Sequence, residues 1–490
     1  MRKKLGENMK YHYYEVIEKL KKRGSSPGLE TVRGLLDVLG HPEERLRIVH
    51  IAGTNGKGSV FAFLASMLKE GGYRVGRYIS PTIHSYEERF QIDGKEISPD
   101  KLEMYFSRME RAMAQMENAQ TEKNHEMPGQ QPGQPSVSGG QPLRLPTLFE
   151  VETALAFLYF AEEGVDFALI ETGMGGTCDA TNVIEHPMLT VISSISYDHK
   201  AFLGDTLPEI AGQKAGIIKE QVPVVVSENV PEVCRVLEEK AREKHAECTF
   251  IKEADYRVET EAVNGSTFIW KKHRFTISLP GRHQISNAVT ALTAAEKLSG
   301  ILSKAGQPQE NSGIGWSAMQ QGLAGTRWPG RLELLHEKPY IFRDGAHNPD
   351  GARKLGQFLE KHFTNQKIIY IMGVLKDKEY EKMLAELLPL AAQVYTFRPD
   401  NERGLSGEVL AGCARTFGVK AESCDNVNAA MERAVKQAKK EDVLVICGSL
   451  SFMEEMDDSL WQDLPAAENA ENEQTASGAD NEERTDNSGN

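Results

Sequence analysis

The 490-residue chain has only six cysteines, Cys178, Cys234, Cys248, Cys413, Cys424 and Cys447, and no two of them form a CxxC pair. That scatter fits reduced thiols in a cytoplasmic protein better than a disulfide framework or a zinc site. No apolar run approaches the ~18 residues that a membrane-spanning helix needs. The basic start Met1-Arg2-Lys3-Lys4 leads into polar, amphipathic sequence where a signal peptide would place its apolar core. A cytoplasmic protein with no membrane partner is expected. Also missing is any stripe of Lys and Arg interleaved with aromatics, which argues against a nucleic-acid partner. The guanine-recognition string Asn-Lys-x-Asp does not occur. The formal charge is −14, but residues 466–490 hold seven acidic groups against one Arg, so −6 of it belongs to the tail and the body is mildly acidic.

What is present is a phosphate cradle. An apolar strand predicted over 47–52 runs into Gly53-Thr54-Asn55-Gly56-Lys57-Gly58-Ser59, and a helical run over 60–70 leaves it. Glycines let backbone N–H groups close around phosphate oxygens, and the helix start adds the positive end of its dipole. Lys57 supplies a point charge, and Ser59 can reach a bound cation. The string departs from the standard P-loop, because Ile51 stands where the first glycine would fall and Gly58 separates Lys57 from the hydroxyl residue. Binding of a nucleoside triphosphate, ATP, is the expectation.

With 40% hydrophobic residues the chain can build two or three cores. Two helices are predicted over 11–22 and 29–39, split by Gly24-Ser25-Ser26-Pro27-Gly28. A strand over 73–80 completes the first βα unit. Residues 118–142 are Gln, Pro, Gly, Asn and Ser with almost no large apolar side chain, and read as a disordered surface insertion. Alternation then resumes: a helix over 148–162, strands over 165–171 and 188–194, a helix over 207–217 and a strand over 222–226. A β-leaning stretch, 248–279, precedes a helix over 285–298. The Gly/Ser/Gln/Pro-rich segment from 299 suggests a hinge to a second alternation with strands near 340–343, 367–372, 393–397 and 443–447. The fold class expected is therefore α/β: a P-loop domain with a mostly parallel sheet over 1–325, its linker at about 299–325, a smaller Rossmann-like α/β domain over 326–465, and a disordered acidic tail over 466–490.

Triphosphate chemistry also needs oxygen ligands for Mg²⁺, and in a parallel sheet these lie at the carboxyl ends of strands. Ser80 ends one strand, and Asp198 and His199 follow another. Glu150 opens a helix, where it is either a metal ligand or a first-turn carboxylate that complements the dipole. His199 alone could be a hydrogen-bonded surface residue, and Lys214 would ordinarily be a solvated helix lysine. In the second domain, Trp328-Pro329-Gly330-Arg331 and Asp344-Gly345-Ala346-His347-Asn348-Pro349 suit phosphate and ribose or base contacts, or else form an ordinary Asp-Gly and Asn-Pro turn.

Taken in order, these blocks resemble the folylpolyglutamate synthase/dihydrofolate synthase family, a branch of the Mur ligase superfamily. The likeness covers residues 29–451, interrupted by the insertion. It rests on 52–59, Thr147 to Glu150 with Thr153, 171–182, Asp198-His199, 213–219, 279–288, 329–331 and 344–349. The resemblance implies an ATP-dependent amide ligase in which Gly53 to Ser59, Asn287, Arg331, Asp344 and His347 contact the nucleotide. It places magnesium, two ions of it, on Ser59, Ser80, Glu150, His199 and Lys214, and puts Lys57, Lys214 and His199 in the catalytic set. Lys214 falls at the lysine that the family carbamylates. The implied substrates are L-glutamate and a reduced folate, together with 7,8-dihydropteroate in bifunctional members, and a monomer is expected. Two blocks depart from the family pattern: Ser80-Pro81-Thr82-Ile83 for Ser-Pro-His-Leu, and Thr177-Cys178 for Arg-Leu after the glycine pair. A cell-wall amino-acid ligase of the same superfamily would carry a sugar-nucleotide domain ahead of the P-loop, and only 52 residues precede Gly53. A nucleotide switch would have no use for Asp198-His199, Lys214 and a second ATP-contacting domain.

Overall fold

The computed structural model describes residues 11–24, 26, 28–125, 144–304, 314–461 and 464. Eight strands form the first sheet: β1 (Ile48–Ala52), β2 (Val75–Tyr78), β3 (Phe90–Ile92), β4 (Lys95–Glu96), β5 (Phe167–Glu171), β6 (Leu189–Ile192), β7 (Val224–Val226) and β8 (Cys248–Phe250). Their order is β4-β3-β2-β5-β1-β6-β7-β8, parallel from β2 to β8, with β3 and β4 as an antiparallel edge. β1 lies between β5 and β6, and all five of its residues are buried, as expected of a parallel strand covered on both faces. The cradle that follows β1 therefore opens at the middle of the sheet.

One face of this sheet packs the helices Lys57–Glu70 and Arg282–Lys304, where Val60, Phe63 and Leu64 share a core with Val289 and Leu292. The other face packs Tyr13–Lys21, Glu30–Leu39, Pro99–His125 and Leu148–Glu163 around Tyr13, Leu35, Phe106 and Phe157. Each fully buried Phe, Leu or Val contributes about 1.5–3 kcal/mol. The cradle helix buries ten of its 14 residues, so its N-terminus is held rigidly against the sheet.

A three-stranded antiparallel sheet, β9 (Tyr256–Ala262), β10 (Gly265–Trp270) and β11 (His273–Ile277), accounts for the β-leaning stretch. The third sheet contains β12 (Glu333–Glu337), β13 (Tyr340–Arg343), β14 (Ile368–Met372), β15 (Ala391–Thr396), β16 (Lys420–Ser423) and β17 (Val443–Cys447). Its order is β12-β13-β17-β14-β15-β16, parallel except for the β12 edge. Two mostly parallel α/β sheets, the second smaller, match the fold class read from the sequence.

Three segments differ from expectation. Residues 118–125, assigned to a disordered insertion, continue the helix Pro99–His125. Lack of apolar side chains prevents core formation, but Gln, Glu, Lys and Ala favour helix, and a packed helix can run on into solvent. The remainder of the insertion call, 126–142, lies outside the described residues, as does the tail 466–490. The proposed linker 299–325 is largely helical: Arg282–Lys304 runs through its start, and Trp316–Gly325 buries Met319 and Leu323 in the first core. Gly322 lies so close to the cradle helix that a Cβ on it would come within 2.6 Å of Met67 Cα, which ties this helix to the first sheet. The β3–β4 hairpin was also unread, its strands being too short to show a period. Among the described residues no helix is long and apolar enough to cross a membrane.

Candidate active site

Gly56 holds φ at +87°, a left-handed conformation that L side chains rarely adopt, and a Cβ there would meet Asn287 Oδ1 at 2.5 Å. The turn is thus tight for two reasons, and it delivers Lys57 as the first residue of its helix. Lys57 Nζ donates to the Gly53 carbonyl at 3.1 Å and lies 3.8 Å from Glu171 Oε1, at the carboxyl end of β5. Glu171 is buried, and burial pushes its carboxyl up against the opposing pull of Lys57 and Arg331.

Lys214 comes from the helix Leu207–Ala215, whose N-terminus carries a Thr206/Glu209 capping box. A Cβ on Gly176 would lie 2.6 Å from the Gln213 carbonyl and 3.0 Å from Lys214 Cα, so the Gly175-Gly176 turn and this helix touch backbone to backbone. Lys214 Nζ donates to the Gly53 carbonyl at 2.8 Å. Burial, reinforced by the charge of Lys57, lowers this amine to about 7.

Asp198 gathers cations from both halves of the chain. Its Oδ1 is 2.5 Å from Lys378 Nζ, and its Oδ2 lies 3.3 Å from His347 Nε2 and 3.9 Å from His199 Nε2. Burial alone would raise this carboxyl, but His347, Lys378 and His199 hold it far below the usual range. Burial lowers His199 to about 4, with Lys378 and Lys57 adding to the effect, so its ring is neutral near pH 7. Asn55 Nδ2 donates to Asp350 Oδ2 at 2.8 Å, and Asn348 Nδ2 donates to Asn55 Oδ1 at 3.0 Å, adding polar contacts across the same seam. Asp344 accepts from the Leu332 and Ala346 N–H groups, both at 2.8 Å, and is held up by burial against the pull of Arg331. His347 Nδ1 lies 2.8 Å from the Gly345 carbonyl.

With one exception, every residue named from the sequence for nucleotide, metal or catalysis lines a single cleft of about 410 Å³ between the two large sheets. A cradle from the first sheet is faced here by Arg331, Asp344 and His347 from the segment around the third, and such a cleft between domains is where small-molecule sites preferentially lie.

Comparison with known proteins agrees. Residues 109–295 match the Mur ligase middle domain and residues 330–450 the Mur ligase glutamate ligase domain. The chain is 37% identical over 444 residues to the dihydrofolate synthase/folylpolyglutamate synthase of Bacillus subtilis, covering 89% of this chain and 95% of that one. The chain belongs to the folylpolyglutamate synthase/dihydrofolate synthase family. The folylpolyglutamate synthase of Mycobacterium tuberculosis, solved with ADP and AMPPCP, superposes with a TM-score of 0.75 at 31% identity, covering 90% of this chain and 96% of that one. E. coli FolC, solved with DHPP and ADP, gives a TM-score of 0.74 at 27% identity, covering 90% and 95%. This synthase is an ATP-dependent ligase of the Mur type.

The exception in the cleft of this synthase is Glu150. It was expected among the metal ligands, but it does not line the cleft, and its oxygens are engaged elsewhere. Oε2 accepts from the Thr147 N–H, the Thr147 hydroxyl and Arg144, each at 2.7 Å, and Oε1 accepts from Arg144 at 2.8 Å. Thr147 and Glu150 make a capping box, so in this structure Glu150 fills its alternative role as a first-turn carboxylate. Arg144 also donates to the Ser26 carbonyl at 2.8 Å, tying this helix start to the segment that splits the first two helices; Ser25 and Pro27 of that segment lie outside the described residues. Sequence reasoning gave no individual role to Glu171 or Lys378, which line the cleft. Glu171 had a signal, a carboxylate ending an otherwise apolar parallel strand. Lys378 had none, since it stands among Lys376 and Lys382 in what reads as a solvated loop.

Proposed function

We propose that this synthase adds L-glutamate to the terminal γ-carboxyl of a reduced folate and also to the carboxyl of 7,8-dihydropteroate, through an acyl phosphate, acting as a monomer in the cytoplasm. The observation that carries this reading is the convergence of Lys57, Lys214 and the Arg331/Asp344/His347 group on one cleft, in a chain whose relatives were solved with ADP, AMPPCP and DHPP. The substrate carboxylate attacks the γ-phosphorus of ATP, ADP leaves, and the glutamate amine then attacks the acyl carbon and expels phosphate. Lys57 and Arg331 offset charge on the phosphoryl oxygens, and the cradle aligns the nucleophile with the leaving group. The seam of contacts around Asp198 keeps water from the acyl phosphate.

The donor set fits magnesium. The Ser59 and Ser80 hydroxyls and the Glu171 carboxylate are the oxygen donors at the cradle, with His199 neutral beside them. Bound there, the ions would neutralise developing charge between the β- and γ-phosphates. A carbamate on Lys214 fits as well: a buried amine near neutrality reacts with CO₂, releases a proton and becomes an oxygen anion where a cation would repel metal. Glu150 would join this set only after leaving Arg144.

Phosphate release from Mg²⁺-ATP with L-glutamate, comparing 7,8-dihydropteroate and tetrahydrofolate, with product masses measured in parallel, tests the assignment. Both acids gaining one glutamate mass supports the bifunctional reading. Gain on tetrahydrofolate alone restricts the enzyme to polyglutamylation. Gain on neither means that Thr82 and Thr177 have redirected the ligase to another acid.

A further inference from the structure

A second cavity lies away from the cleft and shares no residue with it. It is about 160 Å³ in volume, and its lining includes Ala62, Lys69, Arg77, Asp93 and Arg327. Arg77 is unusual within it. Its guanidinium carbon stands 5.6 Å from the centre of the Phe61 ring and 5.0 Å from that of Trp328. Its Nε is buried without a hydrogen-bond partner, and among the described residues no carboxylate lies within ion-pairing distance. Desolvation pushes this guanidinium down to about 10 against an opposing pull from Glu88, which is not within ion-pairing distance. Arg77 is partly buried, and two ring faces offset only part of the desolvation cost while leaving the Nε–H unmet.

The other charges at the cavity favour an anion. Lys69 and Arg327 bring two further cations. Asp93 is the one carboxylate in the lining, and it is turned to the backbone: Oδ1 accepts from the Val75 N–H at 2.8 Å, while its carbonyl accepts from Lys69 at 3.1 Å. The volume separates ligand classes. At about 30 Å³ per water, the space holds a phosphate or a single carboxylate with its hydration, and it falls below the ~300 Å³ of a nucleotide-sized pocket.

We propose that this cavity is a binding site for a small oxyanion, a phosphate or a free carboxylate, held in the fork of Arg77 with Lys69 and Arg327 alongside. Trp328 gives the site a consequence: a Cβ on Gly58 of the cradle would lie 2.8 Å from Trp328 Nε1, so the ring stacked on Arg77 also abuts the phosphate-binding turn. An anion on Arg77 fixes that ring, and through it the cradle. Phosphate is released by the ligase reaction and glutamate is consumed by it, so either source makes this a sensor of the reaction's own reagents.

The test is calorimetric titration of the full chain with AMPPCP and Mg²⁺ at saturation, so that the phosphate positions of the cleft are filled. Inorganic phosphate and L-glutamate are added in separate arms against chloride at matched ionic strength, to wild type, Arg77→Leu and Arg77→Lys. The expected result is saturable binding of one anion in one arm, accompanied by a change in tryptophan fluorescence and weakened about tenfold or more in Arg77→Leu. The arm whose saturation is weakened in Arg77→Leu names the source. Equal affinity in wild type and Arg77→Leu, or no saturation above the chloride control in either arm, overturns the proposal. If Arg77→Leu fails to fold, as thermal melting will reveal, Arg77→Lys decides: it keeps the charge and loses the fork, and unchanged affinity overturns the site.

Discussion

Two buried bases show how far a single side chain can be moved from its solution behaviour. Lys214 sits near 7, so it gains a reactive neutral fraction at physiological pH that a solvated lysine lacks. Carbon-13 NMR of protein equilibrated with labelled bicarbonate should show one carbamate resonance that disappears in Lys214→Ala, together with ligation and with little loss of thermal stability. Ligation should also fall as pH drops through about 7, where protonation blocks the addition of CO₂. His50 is the structural counterpart. It is fully buried on β1, its Nε2 lies 2.8 Å from the Thr181 hydroxyl, and burial lowers it to about 3. Between the unfolded value near 6.5 and about 3 the unfolded chain binds the extra proton, so folding loses about 1.4 kcal/mol per pH unit as the medium is acidified through that window. Denaturant titrations should find wild type losing stability more steeply than His50→Gln across that window, the difference approaching that slope. Neither shift could be read from the residues themselves, because both depend on burial, and Lys214 was reached only through the family resemblance. A lysine in Gly212-Gln213-Lys214 and a histidine in an apolar strand carry no local mark of it.

At the level of elements, the positions of the cleft's side chains follow from close backbone approach. Gly176→Ala forces a Cβ toward the Gln213 carbonyl and Lys214, which cannot shift without moving the capped helix. The cost should be about 1–3 kcal/mol of stability, with a larger loss of ligation than of melting temperature, measured on the same preparation. Gly212→Ala on the same helix, where nothing lies within 4 Å of an added Cβ, should be neutral or slightly stabilising, again by melting. Much at this scale was legible. The apolar runs before the cradle and at 443–447 became β1 and β17, because a parallel strand covered on both faces needs continuous apolar sequence. Glu150 was ambiguous for a physical reason, since a carboxylate three residues after a threonine at a helix start serves a cap as well as it serves a metal. The segment 299–325 misled because its small and polar residues read as a loop, whereas Gly322 is small in order to meet Met67.

Across the whole molecule, the two halves meet through a few buried contacts. Asp198 and Lys378 are each less than a tenth exposed, whereas Lys200 and Glu379, 3.2 Å apart across the same seam, are each about a third exposed and screened. Exposed pairs are worth at most about 1 kcal/mol, and removing one partner of a buried pair costs about 3–5 kcal/mol. Asp198→Asn should therefore open the nucleotide-free protein, seen as a larger radius of gyration in X-ray scattering, while Glu379→Gln should leave it unchanged. The chain between the helix Trp316–Gly325 and β12 is residues 326–332, and the helix is pinned at Gly322. Seven extended residues span at most about 25 Å. However far the halves part to exchange ADP and phosphate, neither diffuses away, and the second half stays at an effective concentration set by its leash and not by the cell. Re-closure on the next ATP is then a first-order event whose rate is independent of how much of this protein is present.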